Sequence, residues 1–244
     1  MADRELVLRP AGDQAIVVDL GDAISPETNR RAHNLTLAIE RSDLAGVVDL
    51  VPAYSSLLVY YDPLVTTYRG MSDALLEIES GLDEQPSEPL RTVHIPTLYG
   101  GKYGPDLKSV ADHAGLTEAE TVAAHSGTDY LVYMLGFSPG FPYLGGLSER
   151  LATPRLETPR TEIPAGSVGI AESQTGVYPV ASPGGWQLVG RTPLKLFDAH
   201  SEPPSLLKAG DFVRFVPLST ERELLDIGDL VKAGEYRVVS EARQ

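Results

Sequence analysis

The chain has 244 residues, no cysteine, and 34 acidic against 20 basic side chains, a formal net charge of −14 at pH 7. That length supports one large domain or two of about 100–150 residues, and the missing cysteines exclude disulfide scaffolds, thiol nucleophiles and Cys-built zinc sites. The acidic balance argues against nucleic acid or anionic membrane as a main partner. MADRELVLRP carries charges where a secretory signal needs an apolar stretch of about 7–15 residues, and no run approaches the roughly 18 apolar residues of a membrane span. The expected location is the cytoplasm, with small molecules and proteins as partners.

Leu6–Leu8 and Ala15–Val18, separated by the turn-prone Pro10-Ala11-Gly12-Asp13, predict a hairpin. Ser25-Pro26 is an N-cap followed by proline at the first helical position, and Ala32, Leu35 and Ile39 recur at helical spacing. Val47–Val51 and Leu57–Tyr61 are two further strand-length apolar runs, and Ser72 is the expected cap of a second helix through Leu75, Leu76 and Ile78. The order ββαββα predicts a small α+β sandwich. Asp83-Glu84-Gln85-Pro86-Ser87-Glu88-Pro89 has linker composition and places the expected domain boundary, 1–88 against 89–244.

Beyond it a strand is expected near Thr92–Pro96, then two short helices. The first runs behind Asp106 and closes at Gly115; the second opens with a Thr117/Glu120 capping box. As a DNA-reading pair they fail on charge, with Asp106, Asp112, Glu118 and Glu120 against Lys108. After the apolar strand Tyr130–Leu135, residues 136–193 hold ten Gly and eight Pro, which excludes long helices. Ser167–Ile170, Gly176–Val180 and Trp186–Val189 alternate with turn dipeptides, as in a β-barrel with tight corners. Phe212–Val216 supplies a closing strand, Thr220/Glu223 a further capping box, and Tyr236–Val239 a last peripheral strand.

Gly136-Phe137-Ser138-Pro139-Gly140 matches G-x-S-x-G but fails as a nucleophile elbow, because Pro139 has no N–H for an oxyanion hole and no helix follows. No P-loop occurs, and the five histidines lack metal-ligand spacing, so no metal site is expected. His94, in a strand, is the least easily dismissed of them. Arg155, Arg160 and Arg191 fall in the loop-rich barrel, either as partners for a substrate carboxylate or phosphate or as ordinary salt bridges. Phe137, Phe141, Tyr143, Tyr178 and Trp186 cluster in the same segment, either walling a pocket or filling the barrel core.

Gly136–Leu144, Thr158-Pro159-Arg160, Ile163–Val168, Gln174–Pro179 and Ser182–Thr192, in that order, together resemble the signature of the 5-oxoprolinase B-subunit family. That family is also known as allophanate hydrolase subunit 1 or carboxyltransferase-domain subunit 1, and is related to a sporulation-kinase inhibitor. Tyr99-Gly100-Gly101 and Gly104–Leu107 extend the likeness, while Leu98 and Lys102 depart from it where Cys and an acidic residue are expected. The resemblance implies an α+β N-terminal domain followed by a mainly β, cyclophilin-like barrel domain; a C-terminal helical extension is also expected, its tail beyond about residue 225 lying outside the likeness. It also implies a role in a larger complex, with a homologous C subunit (allophanate hydrolase subunit 2-like) and with an A subunit, using ATP to open 5-oxo-L-proline to L-glutamate; Mg²⁺ is expected only from the chemistry of ATP. On that basis Arg160, Gln174 and Arg191 are the expected catalytic residues, the arginines binding anionic groups. Phe141, Tyr143 and Trp186 would wall the substrate site, and backbone N–H groups at Gly166 and Ser167 would orient the lactam. No residue is a convincing general base, which places that role in a partner. The alternatives are a binding module that inhibits a kinase and one component of an allophanate hydrolase or urea carboxylase-type carboxyltransferase.

Overall fold

In the computed structural model of the protein, which describes residues 6–22, 25–82 and 90–243, the alternation at Ala15–Val18 becomes a strand with Ile16 and Val18 fully buried. This strand, β2 (Ala15–Asp19), pairs antiparallel with β1 (Val7–Pro10) as the expected hairpin. With β3 (Val47–Pro52) and β4 (Ser56–Tyr61) it forms a sheet of order β1-β2-β4-β3. One face is covered by α1 (Pro26–Ser42) and α2 (Tyr68–Ser80): Leu35 and Ile39 from the first and Met71 and Leu75 from the second join Ile16, Val18, Leu57 and Val59 in one core. Each fully buried aliphatic side chain contributes about 1.5–3 kcal/mol. Ser25 caps α1 by accepting from the Thr28 N–H at 3.1 Å. The cap of α2 is Thr67, whose Oγ1 accepts from Gly70 N–H at 3.1 Å, not Ser72. The helix therefore begins five residues earlier, and Ser72 is buried inside it. The linker expected at 83–89 lies outside the described residues.

Contacts divide the chain into two units, Met1–Glu88 and Pro89–Gln244. The second is mainly β: β5 (Leu90–Tyr99), β6 (Asp129–Leu135), β7 (Pro142–Gly145), β8 (Arg160–Ile163), β9 (Ser167–Ala171), β10 (Gln174–Val177), β11 (Ser182–Gly184), β12 (Gln187–Arg191) and β13 (Phe212–Pro217). Seven of these close into a barrel in the order β12-β9-β10-β7-β6-β13-β5, sealed where Gly190 and Arg191 of β12 pair with Tyr99 and Leu98 of β5. Ile95, Tyr130, Val132, Leu144, Ile170, Val213 and Phe215 pack in its core. β8 and β11 form a separate two-stranded ribbon. G-x-S-x-G is the β6–β7 hairpin loop, closed by Gly136 N–H to Phe141 carbonyl at 3.1 Å, as the failed elbow predicts.

Of the two short helices, α3 (Leu107–Ala114) and α4 (Glu118–Ser126), the second has the complete Thr117/Glu120 capping box. Asp106 stands at the N-cap of α3 without capping it, because its carboxylate faces other partners. His125 ends up fully buried, with Nδ1 2.7 Å from the Tyr99 hydroxyl and Nε2 2.8 Å from Thr175 Oγ1. Thr175 donates its single hydroxyl proton to the Gly169 carbonyl at 3.0 Å. Nε2 of His125 therefore carries the proton, and Nδ1 accepts from Tyr99.

The C-terminal segment departs from expectation twice. Thr220 caps α5 (Glu221–Lys232) by accepting from Glu223 N–H, but the Glu223 carboxylate accepts from Ser219 N–H, one residue before the cap, so the expected box is incomplete. The last strand is β14 (Ser240–Arg243), not Tyr236–Val239, and pairs with the first half of β5. Arg243 anchors it, reaching Asp129 at 2.8 Å and stacking 3.9 Å from the Phe212 ring centroid. An exposed polar strand held by charge carries no apolar pattern to announce it. Among the described residues, no helix is long and apolar enough to cross a membrane.

Candidate functional site

The aromatic residues of the Gly/Pro-rich segment converge in a cluster of their own, apart from the barrel core, because three strands of one sheet, β7, β10 and β12, carry or flank them. Tyr143 lies on β7, Phe141 just before it, Tyr178 just after β10 and Trp186 just before β12. Phe141 is the hub, in edge contact with Tyr143, Tyr178 and Trp186 at centroid distances of 5.1, 5.3 and 5.5 Å. Gly176, paired with Tyr143, is the floor: a Cβ there would come within 3.1 Å of both Phe141 Cζ and Trp186 Cζ3. These rings border a cleft of about 120 Å³. At its rim the exposed Arg155 guanidinium lies 6.0 Å from the Trp186 ring centroid, and no carboxylate is among the described residues lining the cleft. Phe137 completes the mouth, 64% exposed and held at φ 65°, an uncommon conformation for a bulky residue. Burial pushes the Tyr178 hydroxyl up to about 12, so it is a proton donor at neutral pH.

Trp186 is held from both sides. Arg160 donates from Nη1 to the Trp186 carbonyl at 3.4 Å and from Nη2 to Asp106 Oδ1 at 2.8 Å, while Asp106 Oδ2 accepts from Leu188 N–H at 2.6 Å. Arg160 thus ties the ribbon, α3 and β12 together around the aromatic wall, engaged with a carboxylate of its own chain.

Arg191 belongs elsewhere. It ends β12 and stacks 5.5 Å from the Tyr103 ring centroid, and its Nε is buried without an acceptor. It borders a second, larger cleft of about 850 Å³ along α5, which Gly166 also lines. The expected lactam-orienting N–H groups are corrected by the barrel turn: Gly166 N–H donates to the Tyr178 carbonyl at 2.7 Å and Ser167 N–H to the Pro164 carbonyl at 3.2 Å. Ser167, fully buried, also donates its hydroxyl to Pro164 at 2.7 Å. Gln174, at the start of β10, lines neither cleft. The expected site residues therefore divide, with Phe141, Tyr143 and Trp186 together, Arg160 behind them, and Arg191 with Gly166 apart. His94 sits 3.1 Å from Glu241 across the β5–β14 pair. Neither Asp106 nor Tyr103 stood out in the sequence as a site residue, since their partners are distant along the chain.

A family model described as the carboxyltransferase domain, subdomain C and D, matches residues 6–207. The 5-oxoprolinase B subunit of Bacillus subtilis is 44% identical over 219 residues, spanning 85% of this chain and 91% of that protein. Among solved structures, PH0987 from Pyrococcus horikoshii shares 49% identity and a TM-score of 0.54, covering 89% of this chain and 100% of that one. The Kluyveromyces lactis urea carboxylase shares the fold, with a TM-score of 0.78 at 24% identity, over 98% of this chain and 24% of that one. With a match across most of its length and relatives of this identity, the chain belongs to the carboxyltransferase-domain family, subdomains C and D, together with the 5-oxoprolinase B subunits.

Proposed function

We propose that this protein is the B subunit of an ATP-dependent 5-oxoprolinase, acting with a homologous C subunit and an A subunit to convert 5-oxo-L-proline to L-glutamate. The observation that carries the reading is the 44% identity to a 5-oxoprolinase B subunit across nearly the whole of both chains. The barrel is taken as cyclophilin-like, and the location as cytoplasmic.

In this reading the aromatic cleft takes the lactam. Its volume of about 120 Å³ suits a small ring, its rings supply apolar walls, and the unpaired Arg155 suits the substrate carboxylate. Tyr178, protonated at neutral pH, is a donor for the lactam oxygen. An unstrained amide resists water; transfer of the γ-phosphoryl group to its oxygen makes the ring carbon electrophilic. ADP leaves in that step; water then adds to the ring carbon and the C–N bond breaks as the nitrogen takes up a proton, giving a γ-glutamyl phosphate, from which a second water releases phosphate and glutamate. None of the residues lining the aromatic cleft is a carboxylate or imidazole, so the general base is assigned to a partner protein. Among the described residues no cluster of three or more His, Asp or Glu side chains is placed to hold a metal. Mg²⁺ would be held mainly by the phosphates of ATP.

The test is co-purification with the C subunit candidate, measurement of phosphate release with and without 5-oxoproline, then addition of the A subunit and assay of glutamate. Glutamate that requires all three proteins supports the reading. Folded, associated proteins that yield neither phosphate nor glutamate overturn it; inhibition of kinase autophosphorylation, or dependence on a biotinylated carrier, would then identify the replacement.

A further inference from the structure

Two glycines lie side by side in the barrel wall beneath Trp186. Gly169 of β9 and Gly176 of β10 are register partners. A Cβ on Gly169 would come within 3.1 Å of Trp186 Cβ, and one on Gly176 within 3.1 Å of Trp186 Cζ3. The side chain therefore lies along the pair, its root nearest one glycine and its ring edge nearest the other. Neither glycine has a positive φ, so it is the close approach of Trp186 that demands them. The platform brings a weakness: glycine has no side chain to pack and leaves the backbone freer to move, here in two adjacent strands at once.

The opposite face of the same two strands carries a polar chain, since neighbouring residues in a strand point to opposite sides. Thr175, next to Gly176 and fully buried, donates its hydroxyl to the Gly169 carbonyl at 3.0 Å, a side-chain bond added to the backbone ladder between β9 and β10. Thr175 Oγ1 accepts from His125 Nε2 at 2.8 Å, and His125 Nδ1 accepts from the Tyr99 hydroxyl at 2.7 Å. α4 carries His125 into the barrel, where the Phe215 and Tyr130 rings flank it at centroid distances of 4.6 and 5.3 Å. Apolar side chains would fill that space without the cost of burying polar groups. A fully paired chain of hydrogen bonds instead fixes direction, and its last bond ends on the glycine pair. No step of the proposed reaction uses His125, and it is not among the residues lining the aromatic cleft.

We propose that His125 and Thr175 are positioning residues for the aromatic cleft: by fixing β9 against β10 behind Gly169 and Gly176, they hold Trp186 where it walls the cleft. Neither touches substrate or the reacting atoms. The effect on substrate rests on the lactam reading of the cleft; the effect on Trp186 does not.

Trp186 is the single tryptophan of the chain, so its fluorescence reports the cleft wall directly. Three variants separate positioning from stability. Thr175→Val keeps the branched shape and loses the hydroxyl, Thr175→Ser keeps the hydroxyl, and His125→Gln keeps a donor near the place of Nε2 while losing the ring. In the full chain alone, Thr175→Val is expected to shift Trp186 emission to longer wavelength and make it more readily quenched by acrylamide. Thr175→Ser and His125→Gln should keep the parent spectrum even where their melting temperatures fall. In the three-protein assay Thr175→Val should raise KM for 5-oxoproline about fivefold, the worth of one neutral hydrogen bond, with kcat little changed.

A parent-like Trp186 spectrum in Thr175→Val overturns the proposal, whatever happens to the melting temperature, and leaves the chain a packing feature. A shift shared by all three variants overturns it too, because lost stability would then explain the change. Should Thr175→Val fail to fold, His125→Asn replaces it, its shorter carboxamide leaving Thr175 without the donor; a parent-like spectrum there is equally fatal. A shifted spectrum with unchanged KM upholds the positioning of Trp186 and removes the lactam from this cleft. If the parent complex forms no glutamate, the functional reading falls and the spectra alone decide the positioning.

Discussion

Arg160 and Asp106, 54 positions apart in sequence, form an ion pair at 2.8 Å on which the placement of Trp186 depends. Asp106 is the more committed partner, because its second oxygen also accepts from the Leu188 N–H. Asp106→Ala would leave Arg160 Nη2 and the Leu188 N–H without their acceptor, at an expected cost of about 3 kcal/mol. Arg160→Ala leaves Asp106 one donor and should cost about 1–2 kcal/mol. Reading Arg160 as an anion binder from sequence predicts loss of activity with the fold untouched. The ion pair predicts loss of both. Urea unfolding at pH 7 decides, and wild-type stability of Asp106→Ala would show that the pair holds nothing.

His125 makes stability depend on pH. Burial pushes its imidazole down to about 3 from an ordinary 6.5. Below pH 6.5 the unfolded chain binds a proton that the native state refuses, so this residue lowers stability as pH falls from about 6.5 towards 3. From pH 7 to pH 5 the loss is about 2 kcal/mol. His125→Gln should be less stable at pH 7 yet show a flatter pH dependence over that interval. Parallel curves for the two proteins would mean that the imidazole titrates normally.

Gly104 and Gly101, close in one loop, should respond differently to alanine. A Cβ on Gly104 would overlap the Val189 carbonyl oxygen, where neither side can yield without breaking the loop's contact with β12. Gly101 has open space and a φ of 55°, so only backbone strain opposes a side chain. Gly104→Ala is expected to cost more than about 2 kcal/mol, and Gly101→Ala about 1 kcal/mol. Thermal unfolding of the two variants checks the order.

Arg155→Ala tests the proposed lactam cleft. Its guanidinium is exposed and stacked, so stability should change by less than about 0.5 kcal/mol. Removing the one cation among the described residues lining the aromatic cleft should lower glutamate formation by the reconstituted complex about 10- to 100-fold, mainly through KM. Unchanged kinetics would move the substrate carboxylate elsewhere.

Phe137→Asn separates strain from use. Asparagine tolerates the left-handed region better than a bulky aromatic residue, so the variant should be as stable as the parent or up to about 1 kcal/mol more so. If the exposed ring serves the cleft, activity falls while the melting temperature does not. A drop in both would make Phe137 a packing residue instead.

Local chemistry was legible along the chain: Ser25 and Thr117 as caps, Pro26 at a helix start, and alternation at Ala15–Val18 each act within a few residues. The Gly/Pro density of 136–193 likewise excluded long helices and required tight turns, and its motif order carried the family. Where sequence reading missed, a competing local signal was present: Thr67 lies just upstream of Ser72, and a charge-held strand follows the apolar Tyr236–Val239. The candidate site was legible only as a set of residue types. Arg155, Arg160 and Arg191 are alike in sequence, yet one stacks at a cleft rim, one is paired to Asp106 behind the wall, and one stands unpaired in another cleft. A guanidinium's role depends on which acceptors lie within about 3 Å of it, and strand order rather than sequence distance decides that. The same holds for His125, whose neutral state follows from barrel residues up to 90 positions away that surround it with rings and two hydroxyls.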